Sequence, residues 1–193
     1  MNVLIGVTGG ISAYRVCDLI LGLKQNKCDV RVIMTENAKQ FITPMTISTL
    51  SKHPIMDNMW DEVKGNIDHI DIGKWADKFV VYPATANIIA KFANGIADDL
   101  LSTVYLALPQ TPAPTPQDHF DGGDKYKVVK RIVFPAMNTN MLRHPATQRN
   151  ISRIEGDGAI VTGTRETMLA CGDYGYGALL NPRDAVEVIL GGS

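Results

Sequence analysis

Residues 2–12 read NVLIGVTGGIS and carry the pattern that decides the fold. The first six are almost all apolar, which predicts a strand buried on both faces of a sheet. Residues 8–10, Thr-Gly-Gly, predict a turn. Residues 12–24 predict a helix, because apolar side chains recur at i, i+3, i+4 and i+7 and form one stripe. A strand, a glycine turn and a helix in this order are typical of the first unit of an α/β fold.

The alternation of apolar strands and amphipathic helices continues along the chain. Further strands are predicted at residues 29–34, 79–82, 131–134 and 159–161. Further helices are predicted at residues 43–50, 87–92, 98–107 and 182–189. Strands that alternate with helices require right-handed crossovers, so we expect a mainly parallel sheet with helices on both faces. The length favours one domain over residues 1–193.

The composition excludes several classes of protein. Lysine and arginine total 19 and aspartate and glutamate total 20, so the formal charge is −1. This even balance argues against a general nucleic-acid or membrane-surface binder. The chain has no run of about 18 apolar residues that would span a bilayer, and its first residues lack the basic start of a secretory signal. Cys17, Cys28 and Cys171 are too few for a disulfide framework, so we expect a cytoplasmic protein.

Small or hydroxylated residues follow three of the predicted strands. Gly9, Gly10 and Ser12 follow the first strand, Thr35 follows the second, and residues 84–87 (Ala-Thr-Ala-Asn) follow the third. Glycines let the backbone approach a phosphate, and helix-terminal amides and hydroxyls donate hydrogen bonds to it. These strand ends either converge on one crevice for a flat ligand or serve as turns and N-caps, and the two roles are compatible. The spacing lacks the G-x-G-x-x-G dinucleotide fingerprint.

Two polar motifs are candidates for chemistry. His69 lies in the segment Asp-His-Ile-Asp at residues 68–71, where the flanking acids would stabilise its protonated form. Asn138 lies in residues 134–141, FPAMNTNM, directly after a predicted strand. Its amide either binds a carboxylate without adding charge or caps the next helix. No C-x-x-C or H-x-x-x-H spacing indicates a metal site.

Two further segments have unusual compositions. Residues 170–177, ACGDYGYG, hold three glycines and predict a flexible loop, with a substrate lid expected over residues 165–180. Cys171 in this loop is an acid, a nucleophile or an incidental thiol, and Asp173 nearby would keep it protonated. Residues 108–127 contain four prolines and little apolar content. They predict a surface excursion that is either a tolerated insertion or a functional flap.

Seven segments taken in order give a more specific signal. They are GVTGGISAY, MTENAKQFIT, HIDIGKWAD, PATAN, NGIADDLLST, PAMNTNM and ACGDYGYGAL. On these segments the chain resembles the homo-oligomeric flavin-containing cysteine decarboxylases over essentially its whole length, apart from residues 108–127. It departs from the family at Leu142, where an aromatic residue is common, and at Thr85 and Ile88, where serine and threonine are common.

The resemblance implies a Rossmann-like, flavodoxin-type α/β fold that binds FMN, with FAD as the less favoured flavin. The flavin-binding residues that it implies are Gly9, Gly10, Ser12, Thr35, Phe41, Ala84, Thr85, Ala86, Asn87 and Ser102. By the same resemblance His69 would act as a base and Cys171 as a proton donor. Asn138 and Met141 would bind the substrate. No metal is implied.

The activity implied by the resemblance is oxidative decarboxylation of 4'-phosphopantothenoylcysteine to 4'-phosphopantetheine in coenzyme A biosynthesis. Oxidation of the cysteine thiol to a thioaldehyde provides the electron sink that loss of carbon dioxide requires. One alternative is a peptidyl-cysteine decarboxylase, which stops at the enethiol and needs no returning acid such as Cys171. Another is a noncatalytic flavin-binding regulatory subunit.

The resemblance also implies the partners of the chain. The family assembles as homotrimers, some of them joined into dodecamers, with sites between subunits. The expected partners are therefore copies of the chain itself and a small-molecule substrate, with neither nucleic acid nor membrane.

Overall fold

The apolar run at residues 2–7 forms strand β1 (Asn2–Val7), which lies between two parallel neighbours. These neighbours are β2 (Asp29–Met34) and β3 (Lys78–Ala84). Strands β4 (Lys130–Pro135) and β5 (Ile160–Val161) extend the sheet, which has the order β2-β1-β3-β4-β5 with every pair parallel. The computed structural model describes residues 1–58, 68–108, 128–168, 172 and 174–191, with residues 68 and 69 described by their backbone alone.

Helices connect the strands and cover both faces of the sheet. The helices of the described residues are α1 (Val16–Gln25), α2 (Pro44–Ser51), α3 (Asp68–Trp75), α4 (Ala86–Asn94), α5 (Leu100–Ala107), α6 (Thr139–Arg143), α7 (Pro145–Gly156) and α8 (Pro182–Leu190). Two 3-10 turns, Ile11–Arg15 and Glu36–Gln40, follow β1 and β2. The predicted α/β fold with a mainly parallel, doubly covered sheet is therefore confirmed.

The alternation of side chains along β1 divides the core in two. Val3, Ile5 and Val7 point into one buried cluster, whereas Leu4 belongs to the other. Because successive side chains of a strand face opposite sides, the two clusters lie on opposite faces of the sheet. Helices α1, α2 and α8 contribute to the first cluster and α3, α4, α5 and α7 to the second. A strand buried on both sides is the reason that residues 3–7 are apolar throughout.

Several predicted boundaries shift, and three helices were not predicted. The helix expected at residues 12–24 begins as the 3-10 turn Ile11–Arg15 and becomes α-helical at Val16. The unpredicted helices are α3, α6 and α7, and α6 has five residues. In α7, Thr147 and Ile154 are buried and Ile151 packs against the core between them, so one face of the helix is anchored on the sheet. The helix begins at Pro145. His144 is its N-cap, and the ring nitrogen Nδ1 accepts a 3.1 Å hydrogen bond from the Ala146 amide.

The flexible loop predicted at residues 170–177 is wrong in part. Residues 174–178 form strand β7 (Tyr174–Ala178), which pairs antiparallel with β6 (Arg165–Met168) in a two-stranded hairpin. The loop prediction rested on the three glycines, but Gly175 and Gly177 are strand residues that pack against a neighbouring segment, as described below. Residues 169–171 and 173 lie outside the described residues.

The excursion predicted at residues 108–127 lies outside the described residues except for Leu108, which is buried. Within the part of the chain that the structure describes, no helix has the length and apolar character needed to cross a membrane.

Candidate functional site

The loop after β1 is tied to the end of β3 by one buried hydroxyl. Thr8 Oγ1 donates a 2.8 Å hydrogen bond to the Pro83 carbonyl and accepts one of 3.2 Å from the Thr85 amide. A side chain on Gly9 would meet Asn37 at 2.6 Å, so the same loop packs closely on the 3-10 turn after β2. The carboxyl ends of three neighbouring strands therefore meet, as their small polar residues predicted.

Gly10 and Ser12 present an open surface at this meeting point. The nearest atom to a Cβ on Gly10 would be Thr85 Cγ2 at 3.9 Å, so the position faces free space. Gly10 is also the N-cap of the 3-10 turn Ile11–Arg15, and no side chain caps that turn. The amides that begin the turn are thus left for a ligand or for water, which is the arrangement of an anion-binding loop.

The turn after β3 combines a capping role with a place in the site. Thr85 is the N-cap of α4, and its Oγ1 accepts the Ile88 amide at 3.3 Å. Thr85 and Ala86 also line the cavity described below, so the capping role is compatible with the predicted place in a ligand site. Ala84 is buried in the sheet, and Asn87 is exposed outside the cavity lining.

Three further predicted flavin contacts, like Ala84 and Asn87, are not among the residues that line the cavity. Thr35 Oγ1 donates to the Val7 carbonyl at 3.3 Å, which again joins the ends of β1 and β2. Phe41 ends the 3-10 turn after β2 and is exposed. Ser102 is buried in the first turn of α5, where it forms a reciprocal capping box with Asp99. The helix cap accounts for the Ser102 hydroxyl, so its geometry favours a structural role.

The segment after β4 brings Asn138 and Met141 to the same edge of the sheet. Asn138 is the N-cap of α6, and its Oδ1 accepts the Asn140 amide at 2.8 Å. The cap uses the amide oxygen, and an asparagine amide also carries an Nδ2 donor, the type of atom from which a carboxylate accepts hydrogen bonds. Met141 lies one turn further on, where its half-exposed thioether lines the cavity beside Asn138.

The hairpin β6–β7 packs against the segment that carries Asn138. The amide of Met137 donates to the Gly177 carbonyl at 3.0 Å, and Thr139 Oγ1 donates to the Tyr176 carbonyl at 2.6 Å. A Cβ on Gly175 would lie 2.7 Å from Thr139 Oγ1, so the backbone of β7 must be bare here. The glycines at i and i+2 face the same neighbour, which is a signal that the sequence contained.

These elements enclose a cavity of about 480 Å³, a volume typical of small-molecule sites. The lining is mostly apolar or backbone and comes from every segment described above. It consists of Gly9, Gly10, Ile11, Ser12, Tyr14, Arg15, Thr85, Ala86, Ala136, Met137, Asn138, Met141, Arg165, Thr167, Met168, Gly177, Ala178 and Leu179. Sequence reasoning missed Arg15, Arg165 and the residues contributed by the hairpin, because the hairpin was expected to be a loop.

The two predicted catalytic residues are described only partly. His69 belongs to α3 by its backbone, and its side chain lies outside the described residues. Cys171, between β6 and β7, also lies outside them. Burial raises the pKa of Cys17 and of Cys28, which disfavours their reactive thiolate forms. Within the described residues no group of His, Cys, Asp or Glu side chains is placed to hold a metal ion.

The position of the cavity in the sheet indicates the kind of ligand. The order β2-β1-β3-β4-β5 is that of flavodoxin. In this order the strands are added first on one side of β1 and then, from β3 onward, on its other side. Open α/β sheets bind ligands outside the carboxyl ends of their strands at this switch point. The loops after β1 and β3 line the cavity, so the fold and the site define a Rossmann-like cofactor-binding protein.

Comparison with known proteins makes this class specific. Residues 1–192 match the Flavoprotein family, and the chain belongs to it. It is 39% identical to the probable phosphopantothenoylcysteine decarboxylase of Streptococcus mutans, an alignment that covers 97% of this chain and 96% of that protein. It is 40% identical to the coenzyme A biosynthesis bifunctional protein CoaBC of Escherichia coli (strain K12) over 98% of this chain. The chain spans 42% of the length of that bifunctional relative.

Solved structures share the whole fold. A cysteine-to-serine mutant of PPC decarboxylase, complexed with pantothenoylaminoethenethiol, superposes with a TM-score of 0.80 at 25% identity, covering 98% of this chain and 96% of that one. The FMN-dependent cysteine decarboxylase SpaF superposes with a TM-score of 0.78 at 29% identity, covering 98% and 95%.

Proposed function

We propose that this chain catalyses the FMN-dependent oxidative decarboxylation of 4'-phosphopantothenoylcysteine to 4'-phosphopantetheine, a carboxy-lyase reaction of coenzyme A biosynthesis. One observation carries the proposal: a single cavity joins the loop after β1, the turn after β3, Asn138 and the hairpin. The decarboxylase names of the relatives support the reaction and the substrate. The FMN-dependent neighbour supports the flavin, with FAD as the less favoured choice.

The residues around the cavity fit a flavin mononucleotide. Gly9, Gly10 and Ser12 offer backbone and hydroxyl donors in a turn that no side chain caps, which suits a phosphate. Thr85 and Ala86 leave room beside them for a flat ring. When bound, the flavin supplies a reversible hydride acceptor. Thr35, Phe41, Ala84, Asn87 and Ser102 remain proposed contacts.

Asn138 is proposed to hold the carboxylate that leaves as carbon dioxide. Loss of carbon dioxide removes the negative charge from this group, so a cation bound to it would stabilise the starting state and raise the barrier. A neutral amide orients the carboxylate without that penalty. Met141 would pack against the apolar part of the same substrate.

His69 and Cys171 are proposed to carry the proton transfers. His69 would accept the proton of the substrate thiol as the thiol carbon is oxidised. Cys171 would return a proton to the carbon that has lost carbon dioxide. A single acid between the two hairpin strands suits that second step, because the hairpin lines the cavity on the side of Asn138.

We also propose that the chain forms homotrimers, or dodecamers built of trimers, in the cytoplasm. Ile11 and Tyr14 support assembly, because both line the cavity and yet are exposed. A second subunit laid over this apolar rim would complete the wall of the site. Light scattering of the purified protein measures the number of subunits.

The proposed function is tested by incubating the flavin-loaded protein with 4'-phosphopantothenoylcysteine and, separately, with a peptide that ends in cysteine. Loss of the mass of carbon dioxide from the small molecule is the expected result. Loss from the peptide alone would instead establish a peptidyl-cysteine decarboxylase. A protein that binds flavin but acts on neither compound would fit the noncatalytic regulatory role.

A further inference from the structure

The charged residues of the cavity are of one sign. Arg15 and Arg165 line it, and no aspartate or glutamate is among the lining residues that the structure describes. Glu166 follows Arg165 in β6 but is exposed and outside the lining. Two positive charges in a mostly apolar cavity without a matching acid favour an anionic ligand group.

The two arginines are fixed by neighbouring residues of one segment. Arg165 Nε donates to the Leu179 carbonyl at 2.8 Å, and an Arg15 terminal nitrogen donates to Asn181 Oδ1 at 3.5 Å. Between these acceptors, the Leu180 carbonyl accepts the buried Tyr82 hydroxyl at 2.7 Å. Residues 179–181 therefore hold both guanidinium groups at the root of the hairpin.

Both arginine charges act on the same buried hydroxyl. Burial raises the pKa of Tyr82, while the charges of Arg15 and Arg165 oppose that rise. Asp18 and Asp184 act on it in the other direction, but neither lines the cavity. Among the described residues neither arginine forms a salt bridge, and Arg15 also lies over the Tyr14 ring at 5.6 Å, so neither charge is neutralised by an acid there.

We propose that Arg165, together with Arg15, binds the terminal phosphate of the substrate and makes the site specific for the phosphorylated compound. This inference rests on the proposed function, whose substrate carries two anionic groups. The carboxylate loses its charge during the reaction and is better bound by the neutral amide of Asn138. The phosphate keeps its charge throughout, so guanidinium groups stabilise it equally in the starting state and in the transition state and tighten binding.

The phosphate of the flavin has a different place. The backbone donors after β1 and the N-terminus of α4 suit it, whereas Arg15 and Arg165 are held by residues 179–181 at the hairpin root. The two arginines are therefore assigned to the ligand that enters beneath the hairpin. This assignment distinguishes a phosphorylated small molecule from a peptide, which carries no phosphate at that end.

The test compares 4'-phosphopantothenoylcysteine with pantothenoylcysteine, which lacks the phosphate, on wild type and Arg165→Gln. A hydrogen-bonded ion pair contributes about 1.5–3 kcal/mol, so KM for the phosphorylated substrate is expected to rise about 10- to 100-fold. The rise is expected to be specific to the phosphorylated substrate, so the ratio of the two KM values is the measure, and flavin content checks that the cofactor site is intact. Arg165→Lys should restore part of the loss. Arg183→Gln, an exposed arginine on α8 outside the cavity lining, controls for net charge.

Three outcomes would overturn the inference. An equal rise of KM for both substrates would show that Arg165 only maintains the shape of the site. Loss of flavin from Arg165→Gln would assign the guanidinium to the cofactor phosphate instead. Failure of the wild type to decarboxylate either compound would remove the proposed function, and this inference with it.

Discussion

The amide of Met137 donates a 3.0 Å hydrogen bond to the carbonyl of Gly177, and a Cβ on Gly177 would collide with the Met137 carbonyl oxygen. The backbone of Gly177 also adopts a φ of +128°, which favours glycine. Two independent constraints therefore require glycine where the hairpin meets the segment that carries Asn138. The hairpin and the substrate-binding segment act as one unit.

Gly177→Ala is expected to loosen this unit. The new methyl group must displace the Met137 backbone and adopt an unfavourable φ, which costs about 1–3 kcal/mol. Thermal unfolding of the variant measures the loss, and KM for the substrate is expected to rise because Asn138 moves with Met137. Gly163→Ala is the matched control, because a Cβ there meets nothing within 4 Å. Equal unfolding temperatures for the two variants would contradict the close docking of β7.

The sheet could be predicted because its pattern is local. Residues 3–7 are apolar throughout, and a strand covered on both faces requires that pattern whatever the rest of the chain does. The hairpin could not be predicted in the same way. Strand β7 alternates tyrosine and glycine, and its pairing depends on β6 and on the backbone of residues 137–139, which are distant in the sequence.

The residues of the site likewise fall into those that a local pattern predicted and those that depend on distant contacts. Gly10, Ser12, Thr85 and Asn138 were predicted because each follows a strand and parallel strands end at one edge. Arg165 was missed because nothing near it in the sequence indicates that it lines the same cavity as Arg15. The link between them is long-range, through hydrogen bonds of both side chains to residues 179–181.

Thr8→Val tests the hydroxyl that joins the ends of β1 and β3. Valine has nearly the same shape but cannot serve the Pro83 carbonyl and the Thr85 amide, so two polar groups lose their partner. The expected cost is about 1–3 kcal/mol in the free energy of unfolding by urea, with weaker flavin retention. Thr8→Ser keeps the hydroxyl and should retain most of both properties. A valine variant as stable as wild type would show that the two hydrogen bonds of the Thr8 hydroxyl do not contribute to stability.

Acid should weaken the cap of α5. Burial disfavours the Asp99 carboxylate, but hydrogen bonds from Lys91 and Ser102 outweigh it and lower the pKa of Asp99 below its usual value. A lowered folded-state pKa adds stability above the unfolded pKa of about 3.9, and the stability is lost as the pH falls through the folded value.

Asp99→Asn keeps an N-cap but removes the charge. It should unfold more easily than wild type at neutral pH by up to about 1 kcal/mol, with the gap narrowing below about pH 4. Asp98→Asn is the matched control, because Asp98 contacts the same Lys91 amine but is far more exposed. Urea unfolding at several pH values measures both variants. A gap that is independent of pH would contradict the ionised cap.

Asn138→Asp separates the capping role of residue 138 from its substrate role. Aspartate caps helices as well as asparagine does, so the Asn140 amide keeps its acceptor and the unfolding temperature should be unchanged. The added charge repels the substrate carboxylate, so KM is expected to rise at least about tenfold, which corresponds to about 1.4 kcal/mol. An unchanged KM in a folded variant would contradict the proposal that Asn138 binds the substrate carboxylate.

Cys171→Ser tests the division of the reaction into two halves. Serine is close in size to cysteine but is a far weaker acid at neutral pH, so it should not return the proton that completes 4'-phosphopantetheine. Without oxygen, the variant is expected to consume one equivalent of substrate per bound flavin, release carbon dioxide and accumulate the enethiol, because the two electrons taken from the substrate stay on the flavin. Mass spectrometry of quenched mixtures measures the enethiol. Cys17→Ser is the control, because that thiol packs against the core from α1 and its replacement should leave the product unchanged.

Equal loss of substrate consumption and of finished product would contradict a role for Cys171 confined to protonation. Accumulation of enethiol by the wild type itself would instead favour the peptidyl-cysteine alternative, because that reaction ends without a returned proton.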